Sequence, residues 1–315
     1  MSGSPFDRFL DAQGFVVLDG GLGSALEAAG HALGTRLWSG QMVLDDPAGL
    51  GAVHLAYLEA GADVIATAGY QLSFEAFEAL GYGEDDAVKA LRASVTIAVE
   101  ARDAFWGDGT RHPGRLAPLV AASVGPYGAF LADGSEYDGR YGVGEDVLRR
   151  FHQRRLDVLL DTEANVVVYE TMPSGPEARV VAALLADRAT KPAWLSFTCR
   201  DAERLWDGTP IEDAVRLCEG AASIVAVGVN CVHPGHAGEL VRRIAEVTDL
   251  PVSVCPNSGE TYDDALATWR GPSASWLGEA DAWIHAGASL VGGCCRLGPD
   301  EIRELRRTLS NRFPG

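Results

Sequence analysis

Eight apolar, valine-rich segments that alternate with eight helical patterns predict an α/β fold of the (β/α)8 TIM barrel class. Strands covered by helices on both faces are apolar throughout, and strict strand–helix alternation implies a parallel sheet. No linker, low-complexity tract or charge block divides the 315 residues, so we expect residues 1–315 to form a single domain. A doubly wound sheet is the competing architecture. We favour the barrel because polar residues follow each strand at its carboxyl end.

The predicted elements follow one another along the chain. Strands are expected at residues 15–18, 62–67, 119–124, 165–170, 193–198, 224–230, 251–255 and 289–293. Helices are expected at residues 47–60, 84–105, 145–160, 175–188, 210–220, 235–247, 275–286 and 299–310. A glycine-rich turn after the first strand leads into a further helix beginning at Ser24. The long loop 129–144 is expected to be either a lid over a site or a plain surface excursion.

Composition excludes several classes of function. The net charge of −18 disfavours nucleic acid and anionic membranes as partners, so small molecules are the expected substrates. No apolar run reaches the roughly 18–20 residues that cross a bilayer, and the polar N-terminus predicts no export. We therefore expect a cytoplasmic protein, in which six cysteines are thiols or metal ligands and not disulfides.

Polar and thiol side chains stand at the carboxyl ends of the predicted strands. In a barrel these ends converge on one mouth, where the active sites of this architecture lie. The residues at these positions are Asp19, Thr67, Ser123, Glu170, Thr198, Asn230, Cys231, Asn257, Cys294 and Cys295.

The cysteines in the segment SLVGGCCRLGPDEI, residues 289–302, are the most informative of these residues. Adjacent side chains on a regular strand point to opposite faces, so Cys294 and Cys295 can share a metal only if the two preceding glycines let the backbone leave strand geometry. With Cys231 they would form a three-thiolate zinc site with an open fourth position. A disulfide between the two neighbours, or His233 as a rival ligand, remains the alternative.

The other cysteines and the two lysines carry less information. Cys199, Cys218 and Cys255 are expected to be small buried hydrophobes. Lys89 lies in a predicted helix and Lys191 precedes the fifth strand, so a Schiff-base mechanism is disfavoured.

Two carboxylates accompany the thiols at the predicted mouth. Asp19 and Glu170 could act as a general acid and base, as in glycosidases, or could bind a ligand's ammonium group. A zinc–thiolate centre beside them favours ammonium binding, because the hydrolysis of sugars needs no such metal.

Six segments in order, VLDGGLGSALEAAG, GADVIATAGYQ, YETMPSGPEA, GVNC, PNSGE and GGCCR, resemble the homocysteine S-methyltransferases over about residues 12–310. Members of that family are zinc-dependent (β/α)8 enzymes whose methyl donors are S-methylmethionine, S-adenosylmethionine, betaine or a folate. The resemblance implies that Cys231, Cys294 and Cys295 are the zinc ligands and the catalytic centre. It also implies that Asp19 and Glu170 contact the amino group of homocysteine or the donor's cation.

The expected reaction is methyl transfer from a sulfonium donor to zinc-bound homocysteine thiolate, which yields methionine. Thr67, Ser123 and Asn230 are expected to contribute to substrate binding. Thr171 stands where betaine-using relatives tend to have a tyrosine, which favours S-methylmethionine or S-adenosylmethionine. Within the family, a betaine-homocysteine or selenocysteine methyltransferase is the alternative. Outside it, the alternatives are a zinc-dependent barrel hydrolase with Glu170 as base and a non-catalytic zinc- or redox-responsive binding protein.

Overall fold

The computed structural model describes residues 3–107, 109–110, 112–263, 268–271 and 278–312. The strands are β1 Val16–Val17, β2 Val64–Ala66, β3 Leu119–Val124, β4 Val166–Met172, β5 Ala193–Phe197, β6 Ile224–Asn230, β7 Val252–Cys255, β8 Thr261–Asp263, β9 Thr268–Arg270 and β10 Ala288–Val291. The α-helices are α1 Asp7–Gln13, α2 Leu22–Ala28, α3 Met42–Asp45, α4 Pro47–Ala60, α5 Phe74–Ala79, α6 Glu84–Trp106, α7 Tyr127–Leu131, α8 Glu145–Leu160, α9 Gly175–Arg188, α10 Ile211–Arg216, α11 Pro234–Ala245, α12 Ala280–His285 and α13 Pro299–Arg312. Short 3₁₀ helices cover Trp38–Gln41 and Ser135–Tyr137.

Strands β1–β7 and β10 form one parallel sheet in the order β1-β10-β7-β6-β5-β4-β3-β2. The two ends of this order meet, because Leu18 pairs in parallel with Val64. Two backbone hydrogen bonds join the same edges, from Asp63 N to Val17 O at 2.7 Å and from Asp19 N to Val64 O at 3.1 Å. The sheet therefore closes on itself. The predicted single-domain (β/α)8 barrel is confirmed, and the doubly wound sheet is excluded.

The strands bury both faces, as their composition predicts. One face packs against the surrounding helices, and the other fills the barrel interior. The interior cluster also contains Phe6 and Phe9, and the Phe6 ring meets the Trp194 ring edge to face at a centroid distance of 6.1 Å. Large aromatic side chains thus fill the amino-terminal end of the barrel, and the open space lies towards the carboxyl ends of the strands. The interior cluster comprises Phe6, Phe9, Val16, Leu18, Val64, Leu119, Ala121, Val166, Val168, Trp194, Ala226, Cys255 and Leu290.

The structure differs from the predicted elements in several places. Helices α1, α3, α5 and α7 were not predicted, and α10 ends at Arg216 and not at residue 220. Strand β4 continues to Met172, two residues beyond its predicted end. Strands β8 and β9 pair in an antiparallel hairpin that follows β7 and was not predicted. Each has three residues, too few to produce a periodic pattern. Helix α12 begins at Ala280, and residues 275–277 of the predicted helix lie outside the described residues.

The predicted loop 129–144 contains the end of α7 and the 3₁₀ helix Ser135–Tyr137. Helix α6 is the longest, with 23 residues, and begins with Glu84, Asp85 and Asp86. Within the described part of the chain, no helix combines the length and apolar character that a membrane span requires.

His54 on α4 gives the fold a pH-dependent weakness. Its side chain is 0% exposed, and neither ring nitrogen has a hydrogen-bond partner. Burial lowers the pKa of His54 to about 4. The pKa of histidine in the unfolded chain is near 6.5, so below that pH the unfolded chain binds a proton at His54 and the folded chain does not. Stability therefore falls as the pH falls from about 6.5 to about 4.

His54→Leu should remove this loss. We expect the free energy of unfolding of the variant to fall less than that of the wild type between pH 7 and pH 4.5, by about 2–3 kcal/mol. Denaturant unfolding at both pH values measures this difference. His285→Leu is the control, because the side chain of His285 is 71% exposed. Parallel pH profiles for His54→Leu and the wild type would contradict the assignment.

Candidate active site

Three cysteines meet at the mouth of the barrel. Cys231 follows β6, and Cys294 and Cys295 follow β10. Their sulfur atoms all lie within 4.8 Å of one another, and the Sγ atoms of Cys231 and Cys294 are 2.7 Å apart. Two Zn–S bonds of about 2.3 Å at a tetrahedral angle place their sulfurs about 3.8 Å apart, so small side-chain adjustments suffice to surround one ion. The structure thus brings together the three residues that the sequence singles out.

Cys231 owes its position to an unusual backbone. Its φ is 52°, and that of Thr171, on strand β4 two places away in the sheet, is 58°. Left-handed backbone is costly for non-glycine residues and most of all for a β-branched one. Asn230 holds both residues: its Oδ1 accepts from Thr171 N at 2.8 Å, and its Nδ2 donates to Thr171 Oγ1 at 2.7 Å. The same Nδ2 lies 3.6 Å from Cys231 Sγ, so the Asn230 amide supports the first thiol directly.

The adjacent pair is held by the loop after β7. Cys294 N donates to Pro256 O at 2.8 Å, and Cys295 N donates to Asn257 Oδ1 at 3.1 Å. Gly292 lets this segment cross the end of β1, since a Cβ there would lie 2.6 Å from Leu18 Cβ. Strand geometry ends at Val291, and both neighbouring thiols can therefore face one point.

The thiols form a sulfur-only donor set. The hydrogen bond with Cys231, together with burial, raises the pKa of Cys294 well above the ordinary thiol value, although a contact with Cys295 acts in the opposite direction. Deprotonating all three thiols would place three negative charges close together, and a divalent cation between them can offset their repulsion. Sulfur ligands without carboxylate oxygens suit zinc and other soft metals, so the residues fit the predicted ion. The rival ligand His233 is exposed and caps α11, its Nδ1 accepting from Gly235 N at 3.1 Å.

Asp19 and Glu170 line the same cavity as the thiols. Asp19 Oδ2 accepts from Ala66 N at 2.7 Å, and Glu170 Oε1 accepts from Ser123 Oγ. Burial raises the pKa of each carboxyl, and the charge of Glu170 adds to the rise at Asp19. Two partly buried carboxylates in one cavity favour a cation between or beside them. This arrangement suits an ammonium group.

The other predicted polar residues lie at the same rim. Thr67 and Ser123 line the cavity, and Thr67 Oγ1 accepts from Ser123 N at 3.1 Å. Thr198 and Asn257 instead hold backbone of the cysteine loops: Thr198 Oγ1 donates to Cys231 O at 3.2 Å, and Asn257 binds Cys295 N. Thr198 and Asn257 therefore position the thiols from behind.

The cavity has a volume of about 250 Å³. Aromatic residues of other loops line the same cavity as the thiols and carboxylates, and the Trp38 and Tyr70 rings meet edge to face at 6.1 Å. Among the described residues that line it, none is lysine or arginine, which agrees with the prediction against a Schiff base and suits a cationic ligand. The lining residues that argue for this are Asp19, Trp38, Thr67, Tyr70, Ser123, Glu136, Tyr137, Glu170, Cys231, Cys294 and Cys295.

Two cavity residues, Trp38 and Glu136, were not foreseen. They come from short 3₁₀ helices whose sequence gives no periodic signal, and Tyr137 adjoins Glu136 in the loop 129–144. Cys199, Cys218 and Cys255 are 4%, 3% and 8% exposed and thus buried, as predicted. Cys255 nevertheless lines the cavity, because its strand ends at the mouth.

The Asn230 amide should matter for metal affinity. Asn230→Ala removes both hydrogen bonds to Thr171 and the support of Cys231, and we expect zinc affinity to fall about 10- to 100-fold, the usual effect of losing such a supporting group. Competition with a chromogenic chelator measures this affinity. Asn165→Ala is the matched control, because Asn165 Oδ1 accepts from Val120 N at the opposite end of the sheet. Equal zinc affinities for both variants would contradict the role given to Asn230.

Comparison with known proteins identifies the family. The family model described as homocysteine S-methyltransferase matches residues 16–309. The homocysteine S-methyltransferase YbgG of Bacillus subtilis is 40% identical over 304 residues, which cover 96% of this chain and 96% of that protein. The selenocysteine Se-methyltransferase of Brassica oleracea is 41% identical over 311 residues, covering 95% and 90%.

Solved structures agree with this assignment. The metallated form of the homocysteine methyltransferase MmuM from Escherichia coli superimposes with a TM-score of 0.87 at 37% identity, covering 96% of this chain and 99% of that one. Sequence and structure agree over nearly the whole length of both proteins. This chain belongs to the homocysteine S-methyltransferase family.

Proposed function

We propose that the protein transfers a methyl group from a sulfonium donor, S-methylmethionine or S-adenosylmethionine, to the thiol of homocysteine. The carbon–sulfur bond to the donor's methyl group breaks, and the donor leaves as a neutral thioether. A new carbon–sulfur bond forms on the homocysteine sulfur, whose proton goes to solvent, and the product is methionine. One observation carries this proposal: three thiols converge beside two partly buried carboxylates in a cavity whose described lining has no lysine or arginine.

Cys231, Cys294 and Cys295 are the residues that would hold a metal ion, and we propose zinc. A bound zinc ion would favour the thiolate form of a substrate thiol, whose ordinary pKa near 8.5 leaves it mostly protonated at neutral pH. Three ligands from the protein leave a fourth position for the substrate. Because this centre depends on reduced thiols, we place the protein in the reducing cytoplasm.

Asp19 and Glu170 would accept the α-ammonium group of homocysteine. Burial raises the pKa of both carboxyls, the charge of Glu170 adds to the rise at Asp19, and a bound ammonium would offset both effects. Ser123 keeps Glu170 in place, and Ala66 N keeps Asp19 in place. Held at one end by these carboxylates, the amino acid can extend its thiol towards the cysteines. Such alignment of two reactants can lower a barrier by about 7–11 kcal/mol.

The donor would enter from the aromatic side of the cavity. A sulfonium sulfur carries positive charge without a hydrogen-bond donor, so aromatic faces and carboxylates are the groups that attract it. Trp38, Tyr70 and Tyr137 supply the rings, and Glu136 supplies a carboxyl. Thr171 occupies the position at which betaine-using relatives tend to have a tyrosine, which favours a sulfonium donor over betaine.

Selenocysteine is a second candidate acceptor. The sequence identity of 41% to the Brassica selenocysteine Se-methyltransferase favours selenocysteine. The selenol of selenocysteine is more acidic than a thiol. Selenocysteine carries the same ammonium and carboxylate groups as homocysteine, so the same residues would bind it.

A panel assay tests the proposed function. Zinc-loaded protein is mixed with homocysteine and, in turn, S-methylmethionine, S-adenosylmethionine, betaine or a methylfolate, and methionine is measured. We expect the highest kcat/KM with one of the two sulfonium donors. Higher kcat/KM with betaine would refute the donor assignment. Hydrolysis of ester or amide substrates without methionine formation from any donor would favour the hydrolase, and bound zinc without any turnover would favour a binding protein.

A further inference from the structure

A buried charged network lies outside the cavity, on the helices behind it. Arg155 and His152 are one helical turn apart on α8, and Glu177 lies on α9. The three side chains are 1%, 0% and 0% exposed. Burying charged groups costs free energy unless they are paired and fully hydrogen-bonded, so the hydrogen bonds of this network decide what it stabilises.

The hydrogen bonds fix the protonation of His152. Arg155 Nη2 lies 3.0 Å from His152 Nδ1, and a guanidinium can only donate. His152 Nδ1 is therefore the acceptor, and Nε2 carries the proton that it donates to Glu177 Oε1 at 2.7 Å. Burial lowers the pKa of His152, which agrees with a neutral ring. A neutral histidine thus links a buried cation to a buried carboxylate.

The Glu177 carboxylate accepts further hydrogen bonds from the segment that follows β3. Its Oε1 accepts from Tyr127 N at 2.6 Å, and its Oε2 accepts from Tyr141 OH at 2.9 Å. Arg155 Nη2 donates to Gly125 O at 2.9 Å in the same segment. We call Arg155, His152 and Glu177 the latch. Its hydrogen bonds hold Gly125 and Tyr127 at the start of residues 125–141 and Tyr141 at the end.

Glu136 and Tyr137 lie between the two gripped ends. Both line the cavity that holds the three cysteines. Tyr137 is 38% exposed, and its ring meets the Trp206 ring edge to face at 5.7 Å. The part of the segment that the latch holds is thus the part that reaches the reaction centre.

We propose that Glu177 is a positioning residue for the donor side of the site: by binding Tyr127 and Tyr141, it holds Tyr137 in the cavity that the three cysteines also line, where Tyr137 selects an onium donor. This inference rests on the proposed methyl transfer. It assigns the donor subsite to residues 125–141, whereas Asp19 and Glu170 are held from outside this segment by Ala66 N and Ser123 Oγ, so homocysteine binding should not depend on it.

Tyr141→Phe tests the latch with the least risk to folding, because it removes a single hydroxyl. Hydrogen exchange of the amides in residues 127–141, measured on the zinc-loaded protein without substrates, should become about tenfold faster. The KM for the sulfonium donor should rise about five- to tenfold while the KM for homocysteine stays within twofold. Tyr82→Phe is the matched control, because Tyr82 is 48% exposed and is not among the cavity-lining residues.

A double variant separates positioning from general weakening. Tyr137→Ala should raise the donor KM by itself, and adding Tyr141→Phe to it should raise that KM by less than twofold more, since both changes act through the same ring. Unchanged exchange in Tyr141→Phe would overturn the latch. Faster exchange with an unchanged donor KM, or with equal rises in both KM values, would overturn the assignment of the donor subsite. If the wild type transfers no methyl group at all, the proposed function fails, and the exchange measurement still decides the latch.

Discussion

Cys294→Ala is expected to abolish both stoichiometric zinc binding and methyl transfer. The change leaves two thiols at a centre whose three sulfurs lie within 4.8 Å of one another. Without the ion the substrate thiol stays mostly protonated and loses its fixed position, which together can account for more than 4 kcal/mol. We therefore expect activity below about one thousandth of the wild-type value. Metal analysis and methionine formation on the same preparation measure both effects.

Cys218→Ala is the matched control for this experiment. Cys218 is 3% exposed and lies between the helices and the sheet, away from the cavity. Its loss should lower stability and leave the zinc content and the specific activity intact. Full activity in zinc-free Cys294→Ala would show that the three thiols do not form the reaction centre.

Asp19→Asn is expected to raise the KM for homocysteine about 10- to 100-fold, with much smaller changes in kcat and in zinc content. Asparagine can still accept from Ala66 N through its amide oxygen, so the local fold is retained. The lost group is the negative charge that faces the ammonium, and hydrogen bonds to charged groups contribute about 1.5–3 kcal/mol. Steady-state kinetics with each substrate varied in turn measure the two KM values.

Asp161→Asn controls for the loss of one negative charge, since the side chain of Asp161 is 79% exposed and pairs with Arg92 on the surface. It should leave both KM values unchanged. A rise in the donor KM alone for Asp19→Asn would assign Asp19 to the donor's cation, contrary to our proposal.

The barrel and the meeting of the thiols could be predicted from sequence because both follow from strand order. Cys231 and Cys294 are 63 positions apart, yet Cys231 directly follows one strand of a closed parallel sheet and Cys294 comes two glycines after another, and the carboxyl ends of such strands share one rim. The glycine pair before Cys294 gave a local reason for the backbone to turn.

The supporting structure could not be predicted in the same way. Thr171 and Cys231 adopt left-handed backbone although neither is glycine, so no residue preference announces it. His152 and Glu177 occupy helices where polar residues usually face solvent, and only the packing of α8 against α9 buries them together. Tyr137 belongs to a loop without periodicity. These features depend on contacts between segments that the sequence pattern does not link.

The central claim is that three cysteine sulfurs and one substrate sulfur surround a single ion. X-ray absorption at the zinc edge, recorded with and without homocysteine, tests it most directly. We predict three sulfur neighbours at about 2.3 Å in the free protein and four when homocysteine is added. Two or fewer sulfur neighbours in the free protein, or a sulfur count that homocysteine does not change, would contradict the account.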